Sequence, residues 1–355
     1  MTIARRNFLK LSTGAAATAV AMPALLRTGH AQAPQVTLRL QQQLPAAAPV
    51  PKNFLAPWAQ KIEKESGNRI KIELYPSMQL GGTPSQVYDQ VKDGVIDITW
   101  TLPGYTPNRF PKSEVFELPF IAGNGEQNSP ATWAFYEKHL KDEYEDVKML
   151  AVQTNGPYLI HCKGNGVRKL EDMKGLKLRG TSRMINKMIE LLGATPVGMP
   201  VPAVPDSLSK GVIDGALIPW EVTTPLKIAE LVNTHTGFSG NRSLCVGLFV
   251  TIMNTKKYES LPDDLRKVID ANAGLETSKW AGKVQNDGDA PGLEVAKKRG
   301  NTIVTIDASE TKRWRAAAEP AVESWIKDME AKNIDGKMLV ADARAMIEKA
   351  VGPAS

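Results

Sequence analysis

Residues 172–221 read DMKGLKLRGTSRMINKMIELLGATPVGMPVPAVPDSLSKGVIDGALIPWE, and the fold turns on one arginine within them, Arg179. Leu176 and Leu178, between Gly175 and Gly180, have the alternation of a short buried strand. Thr181 or Ser182 supplies an N-cap for the apolar-periodic run 184–192, and Gly193 ends that helix. Arg179 therefore stands where a strand hands over to a helix. In open α/β sheets ligands collect outside such strand ends, where helix N-termini offer unpaired N–H groups to anions. A guanidinium adds a planar fork of donors that matches a carboxylate and stays charged at any working pH. A structural ion pair with a nearby Asp or Glu is the alternative reading.

The same stretch has an internal echo. Lys210-Gly211-Val212-Ile213-Asp214-Gly215 leads into residues 216–220, and Asp93-Gly94-Val95-Ile96-Asp97 leads into residues 98–100. Each unit reads as helix, glycine turn, buried strand and then a tryptophan, Trp220 or Trp100. If the units belong to two lobes, each lobe delivers one tryptophan toward the space between them; the alternative is coincidence plus core packing. A chain of 355 residues exceeds one ordinary core, so two lobes are expected in any case.

The ordered set DMKGLKLR (172–179), GATP (193–196) and GVIDG (211–215) resembles the core signature of TRAP-transporter periplasmic solute-binding proteins of the DctP family. GNRIKIELYPSMQLG (67–81) and TKKYESLP (255–262) agree with it. The resemblance implies an α/β fold of the two-lobed periplasmic binding protein type (type II-like), with an interlobe cleft, crossing strands, a long bridging helix and hinge closure on ligand. One lobe would comprise 34–156 with 245–284, the other 157–244 with 285–355 and the C-terminal helices. It further implies a monomer in the periplasm that captures a small organic acid for TRAP membrane permease subunits, with no cofactor and no catalysis. Many members carry a second arginine near the first crossing between lobes, where this chain has Tyr158.

Composition agrees with export of a soluble protein. Arg5-Arg6-Asn7-Phe8-Leu9-Lys10, followed by an apolar run to Leu26, reads as a twin-arginine export signal over 1–33, cleaved after Ala33 or Ala31. Removing it takes away Arg5, Arg6, Lys10 and Arg27 and no acid, so the net charge falls from +6 to about +2. No basic cluster with interleaved aromatics remains to track nucleic acid. Cys162 and Cys245 have no metal or redox spacing; export permits a disulfide between them, and burial as free thiols is the other reading. No Gly-x-Ser-x-Gly elbow, Walker loop, dinucleotide fingerprint or His-Glu-x-x-His occurs.

The candidate site follows from these pieces. Arg179 would hold a carboxylate, with Trp100, Trp220 and Tyr158 as walls. Asn155 lies at the first crossing, Tyr105 in the Pro- and aromatic-rich rim 101–120, and Gln43 in the loop after the first strand. Glu221 either hydrogen-bonds a ligand hydroxyl or neutralises a neighbouring lysine. Arg109 reads as a structural ion-pair partner, and Asp97 and Asp214 as turn or helix-end residues. One cation and aromatic walls favour a monocarboxylate with a flat or apolar body, aromatic 2-oxo or 2-hydroxy acids first, over a dicarboxylate or a sialic-acid-like sugar. Two other functions share the cleft: the binding component of an ABC transporter and a secreted enzyme.

Overall fold

The computed structural model describes residues 33–354; the export-signal reading of 1–33, with cleavage after Ala31 or Ala33, lies outside the described residues except for Ala33 itself. In chain order the strands are β1 (Val36–Gln41), β2 (Ile70–Tyr75), β3 (Ile98–Thr101), β4 (Val147–Thr154), β5 (Leu159–Cys162), β6 (Lys177–Gly180), β7 (Thr195–Gly198), β8 (Gly215–Ile218), β9 (Thr234–Phe238), β10 (Leu248–Asn254) and β11 (Thr302–Ile306). The helices are α1 (Ala56–Glu65), α2 (Val87–Lys92), α3 (Gly125–Phe135), α4 (Arg183–Leu191), α5 (Val204–Ser209), α6 (Thr255–Glu259), α7 (Asp263–Ala271), α8 (Leu275–Lys298), α9 (Ala308–Glu330) and α10 (Gly336–Val351). The strands form a five-stranded sheet, β2-β1-β3-β10-β4, and a six-stranded sheet, β11-β9-β5-β8-β6-β7, one to each lobe.

The sequence echo is a shared device for starting a strand. After α2 and after α5 the chain turns on Gly94 (φ 75°) and Gly211 (φ 69°), backbone angles that cost a side-chain-bearing residue energy. Val95 and Val212 are exposed, whereas Ile96 and Ile213 are wholly buried. Asp97 Oδ2 then accepts the backbone N–H of Arg39 at 2.7 Å, and Asp214 Oδ2 that of Lys177 at 2.8 Å. Each aspartate thus ties its incoming strand to a neighbouring strand, a structural role at the turn.

Strand and helix alternation predicts mainly parallel sheets, and here the structure differs. β1 pairs in parallel with β2 and β3, and β6 with β7 and β8, but β10 runs antiparallel between β3 and β4. β5 likewise runs antiparallel to both β8 and β9. These are the strands by which the chain passes from one sheet to the other, so each enters its sheet from the opposite end. β10 is buried along its whole length, as its continuous apolar run requires.

Helix α8 is the spine. Its 24 residues span about 36 Å and pack on α3 and β4 of the first lobe and on the 3-10 turn 220–222 of the second. Ser278 Oγ of α8 receives the backbone N–H of Val152 in β4 at 2.9 Å. The C-terminal helices divide: α9 packs on α4, whereas α10 rests on α3 and on the helical turn 136–140 that follows it, where Asp342 meets Lys138 at 2.6 Å and His139 at 2.7 Å. Both cysteines are free and buried.

The approach of α8 to α3 is close enough to exclude a side chain at Gly282, where a Cβ would lie 2.0 Å from Ser129 Oγ and 2.4 Å from the Gly125 carbonyl. In an ordinary exposed helix Gly→Ala gains about 1 kcal/mol from propensity. Gly282→Ala is instead expected to lower unfolding stability by about 1 to 3 kcal/mol, as overpacking does. Urea unfolding checks this, and a stabilised variant would show that the two helices separate freely.

Candidate ligand-binding site

Arg179 lies in β6 opposite Val197 of β7 and Ala216 of β8, and the turn after it brings in Ser182, whose side chain caps α4 by accepting the Ile185 N–H at 3.3 Å. Its guanidinium reaches both flanking strands. Nε donates to the Met199 carbonyl at 2.9 Å, and Nη1 donates to Thr181 Oγ1 at 2.7 Å and to the Leu217 carbonyl at 3.1 Å. The residue is 1% exposed, and Nη2 has no hydrogen-bond partner. Among the described residues no Asp or Glu is within ion-pair distance of it, so the structural ion pair considered above is not what the chain builds. A buried charge held only by neutral acceptors is incompletely compensated.

Around this guanidinium the fold leaves a small cavity. Gln43, Trp100, Tyr105, Asn155 and Phe249 line it from the first lobe and its crossing segments. Tyr158, Arg179, Val201 and Glu221 line it from the second. Arg179 is the cation among these described lining residues, and Glu221 the acid. Trp100 stacks on Phe249 with ring centroids 4.4 Å apart and planes 8° apart, giving a rigid aromatic wall, and its Nε1 donor has no partner.

The hydrogen bonds leave proton donors aimed inward. Tyr105 Oη accepts the Val201 N–H at 3.1 Å and the Gln43 Nε2–H at 3.4 Å, which leaves its own proton without a protein acceptor. Thr181 Oγ1, having accepted from Arg179, donates to Tyr158 Oη at 3.3 Å, so the Tyr158 proton is likewise free. Burial raises both phenols above their usual range, which keeps them protonated. Asn155 is fixed by accepting the Gly247 N–H at 2.8 Å. Gln43 Oε1 and Glu221 Oε2 are buried acceptors without a partner.

Trp220 and Glu221 are adjacent in the 3-10 turn 220–222 and face opposite ways. Glu221 takes the cavity side. Its backbone N–H donates to Asp289 Oδ1 of α8 at 2.9 Å, and its Oε1 accepts from Gln285 Nε2 at 3.3 Å. Burial, reinforced by the nearby Asp289 carboxylate, pushes the Glu221 carboxyl up to about 8, and burial pushes Asp289 to about 7. No lysine is within ion-pair distance of Glu221 among the described residues, so it neutralises none.

Trp220 departs from the expected pair of facing tryptophans. Its ring packs behind the site on His161 (centroids 4.9 Å) and His235 (4.7 Å). It lines a separate, larger cleft with Pro157 and Phe238. The cation in that cleft, Arg242, bonds the carbonyls of Asn241 at 3.2 Å and Gly352 at 2.6 Å through its two terminal nitrogens, whereas Arg179 keeps Nη2 without a partner. The partner of Trp100 is Phe249, which sequence reading passed over because it lies inside a run assigned to a buried strand. Thr181, Val201 and Gln285 are further residues at the site that the sequence pattern does not mark, Thr181 reading there only as a helix cap.

The rim 101–120 seats on the N-terminus of α4. Glu114 meets Arg183 with both oxygens, Oε1 accepting from Nε at 3.1 Å and Oε2 from Nη2 at 2.6 Å, and Arg183 also pairs with Asp328. Burial pushes the neighbouring Glu117 carboxyl up to about 8, while a Ser182 hydrogen bond opposes the shift. Arg109 pairs with Asp89 at 2.7 Å. Among the described residues, no cluster of His, Cys, Asp and Glu is placed to hold a metal, and no helix is long and apolar enough to cross a membrane.

The family model for DctP, bacterial extracellular solute-binding protein family 7, matches residues 40–328. A TRAP solute-binding protein from Rhodoferax ferrireducens, solved with copurified benzoate, is 47% identical, covers 88% of this chain and 98% of its own, and superposes with a TM-score of 0.87. A marine metagenome TRAP solute-binding protein specific for aromatic acid ligands, solved with 3-hydroxybenzoate, is 44% identical over 90% of this chain and 99% of its own, at 0.88. One from Bordetella bronchiseptica with bound (R)- and (S)-mandelate is 28% identical over 88% and 99%, at 0.82.

The histidines behind Trp220 make a pH prediction. Nδ1 of His161 and of His235 are 2.6 Å apart, His161 Nε2 meets the Ile218 carbonyl at 3.1 Å, and His235 Nε2 meets Asn301 Nδ2 at 3.0 Å. Only neutral rings satisfy this chain: His161 donates from Nε2, and His235 donates from Nδ1 to His161. Burial holds His161 well below its usual range and His235 at about 4. The unfolded chain takes up these protons near pH 6.5. The pair's contribution is therefore complete above that pH and is lost as pH falls toward 4. Across that window wild type should lose up to about 3 kcal/mol more stability than His235→Gln. Parallel pH–stability curves for the two proteins would show that the pair is not held neutral.

Proposed function

The chain belongs to the DctP family of TRAP-transporter periplasmic solute-binding proteins, and from that premise we propose that it captures an aromatic monocarboxylate in the Arg179 cavity for delivery to TRAP membrane permease subunits. The observation that carries this reading is the buried guanidinium with a free Nη2 and no protein carboxylate beside it. A ligand carboxylate supplies the missing counter-charge, and the free protons of Tyr105 and Tyr158 supply further hydrogen bonds to it. A second ligand carboxylate would meet no second cation, because Tyr158 stands near where many relatives have one. The stacked Trp100–Phe249 wall favours a flat ring, each aromatic contact adding about 0.5 to 1.5 kcal/mol beyond area burial. Solved relatives that hold benzoate, 3-hydroxybenzoate and mandelate support the same ligand class.

In this reading the protein reaches the periplasm through the twin-arginine signal at Arg5-Arg6 and returns its ligand chemically unchanged. The lobes hinge at the crossings near 156 and 245, and the Glu114–Arg183 contact belongs to the closed form.

Arg179→Ala is expected to weaken binding by about 30-fold to several thousand-fold, the usual result of breaking a buried charge-assisted pair on one side. Arg179→Lys should weaken it too, since a point charge does not replace the fork. Neither change should lower the melting temperature of the ligand-free protein, because an uncompensated buried charge is removed or relaxed. Calorimetric titration and thermal melting check both statements; undiminished affinity in folded Arg179→Ala would remove Arg179 from the site. In a thermal-shift screen aromatic monocarboxylates should raise the melting temperature by mass action on the folded form. Stabilisation by C4-dicarboxylates or sugar acids alone would overturn the ligand class.

A further inference from the structure

Besides Arg179 Nη2, Gln43 Oε1 and Trp100 Nε1, the cavity presents one unpartnered acid oxygen. Glu221 is 1% exposed, lines the cavity, and has an Oε2 without a partner. The direction of its carboxyl is set by α8. Gln285 and Asp289, one helical turn apart and so on the same face, hold it at two points: Gln285 Nε2 bonds Oε1 at 3.3 Å, and Asp289 Oδ1 takes the backbone N–H at 2.9 Å. A group braced in this way is preorganised for a partner rather than free to turn away. The bare edge of an aromatic ring against Oε2 would leave it unsatisfied, with the desolvation cost of a buried polar atom.

We propose that Glu221 is the specificity-determining residue of this site: it reads a hydroxyl on the ring of the ligand, so that ring-hydroxylated aromatic monocarboxylates are preferred over unsubstituted ones. The inference rests on the aromatic-monocarboxylate reading of the Arg179 cavity. A hydroxyl both donates and accepts, and it suits Glu221 in either protonation state. A second ligand carboxylate would sit against Glu221 and Asp289 with no cation near, since neither acid has an ion-pair partner among the described residues. Burial and the adjacent Asp289 favour the protonated acid at Glu221, which leaves the ligand carboxylate and Arg179 as the matched charges of the site. Sites built to hydrogen-bond a substrate hydroxyl discriminate strongly against the analogue that lacks it.

The test is calorimetric titration of the full mature protein with benzoate, 3-hydroxybenzoate, 4-hydroxybenzoate and 3-methylbenzoate, the last as a control for shape. At least one hydroxybenzoate should bind about ten-fold or more tighter than both benzoate and 3-methylbenzoate. In Glu221→Met, which fills similar space without polar oxygens, that ratio should shrink to within about three-fold, whereas Glu221→Gln, which keeps a donor and an acceptor, should retain most of it. Should Glu221→Met not fold, Gln285→Leu reads the same ratio, which should fall because the carboxyl is no longer held. Equal binding of benzoate and the hydroxybenzoates by wild type, or a ratio undiminished in Glu221→Met, overturns the role of Glu221 and leaves the aromatic-acid reading standing. Failure of wild type to bind any of the four overturns both.

Discussion

The structure depends on a guanidinium buried without a counter-ion. Three neutral acceptors, two carbonyls and a hydroxyl, orient Arg179 and leave Nη2 free, so the protein holds the charge in place without cancelling it. A surface arginine would present the same fork to water, where an ion pair is worth little. Buried between β7 and β8, a guanidinium is worth far more to an anion that brings the missing charge, which is the ground for the proposed role of Arg179. The surrounding side chains are arranged to suit. Tyr105 and Tyr158 spend their oxygen lone pairs on protein donors and keep their protons for the cavity.

Two long elements keep that arrangement in register across the lobes. β10 returns to the first sheet carrying Phe249, the stacking partner of Trp100, and so builds one aromatic wall from strands far apart in sequence. Helix α8 runs along both lobes. Near its start it is pressed against α3 at Gly282, and further on Gln285 and Asp289 fix the side chain and backbone of Glu221. The helix that joins the lobes is therefore also the one that positions the acidic side of the site.

The residues most legible in the sequence are those whose role is set by local backbone geometry. Arg179 is recognisable because a strand of alternating leucines, a glycine and a capping serine leave one reading for its position. Asp97 and Asp214 are recognisable as turn residues because the Gly-Val-Ile-Asp unit repeats, and the structure gives both the same hydrogen bond to the neighbouring strand. Gln43, Tyr105, Asn155 and Tyr158 are cavity residues because the loops that carry them sit at strand ends or at a crossing. Trp220 shows where this reasoning stops. It and Glu221 are neighbours in a single turn, and no pattern in the chain says which faces the cavity.

The sequence by itself determined the two-lobed α/β class, the family, the strand-end position of Arg179 and the helix cap beside it, because hydrophobic period, glycine turns and capping residues act over a few positions and leave their mark there. Only the tertiary structure decided that the sheets are mixed, that Trp100 stacks on Phe249, that Trp220 turns away to a neutral histidine pair, and that α8 rather than a lysine meets Glu221. Those outcomes depend on contacts between residues dozens to more than a hundred positions apart. Which face of a strand or turn is buried there is settled by what arrives to pack against it, and a local pattern carries no record of that.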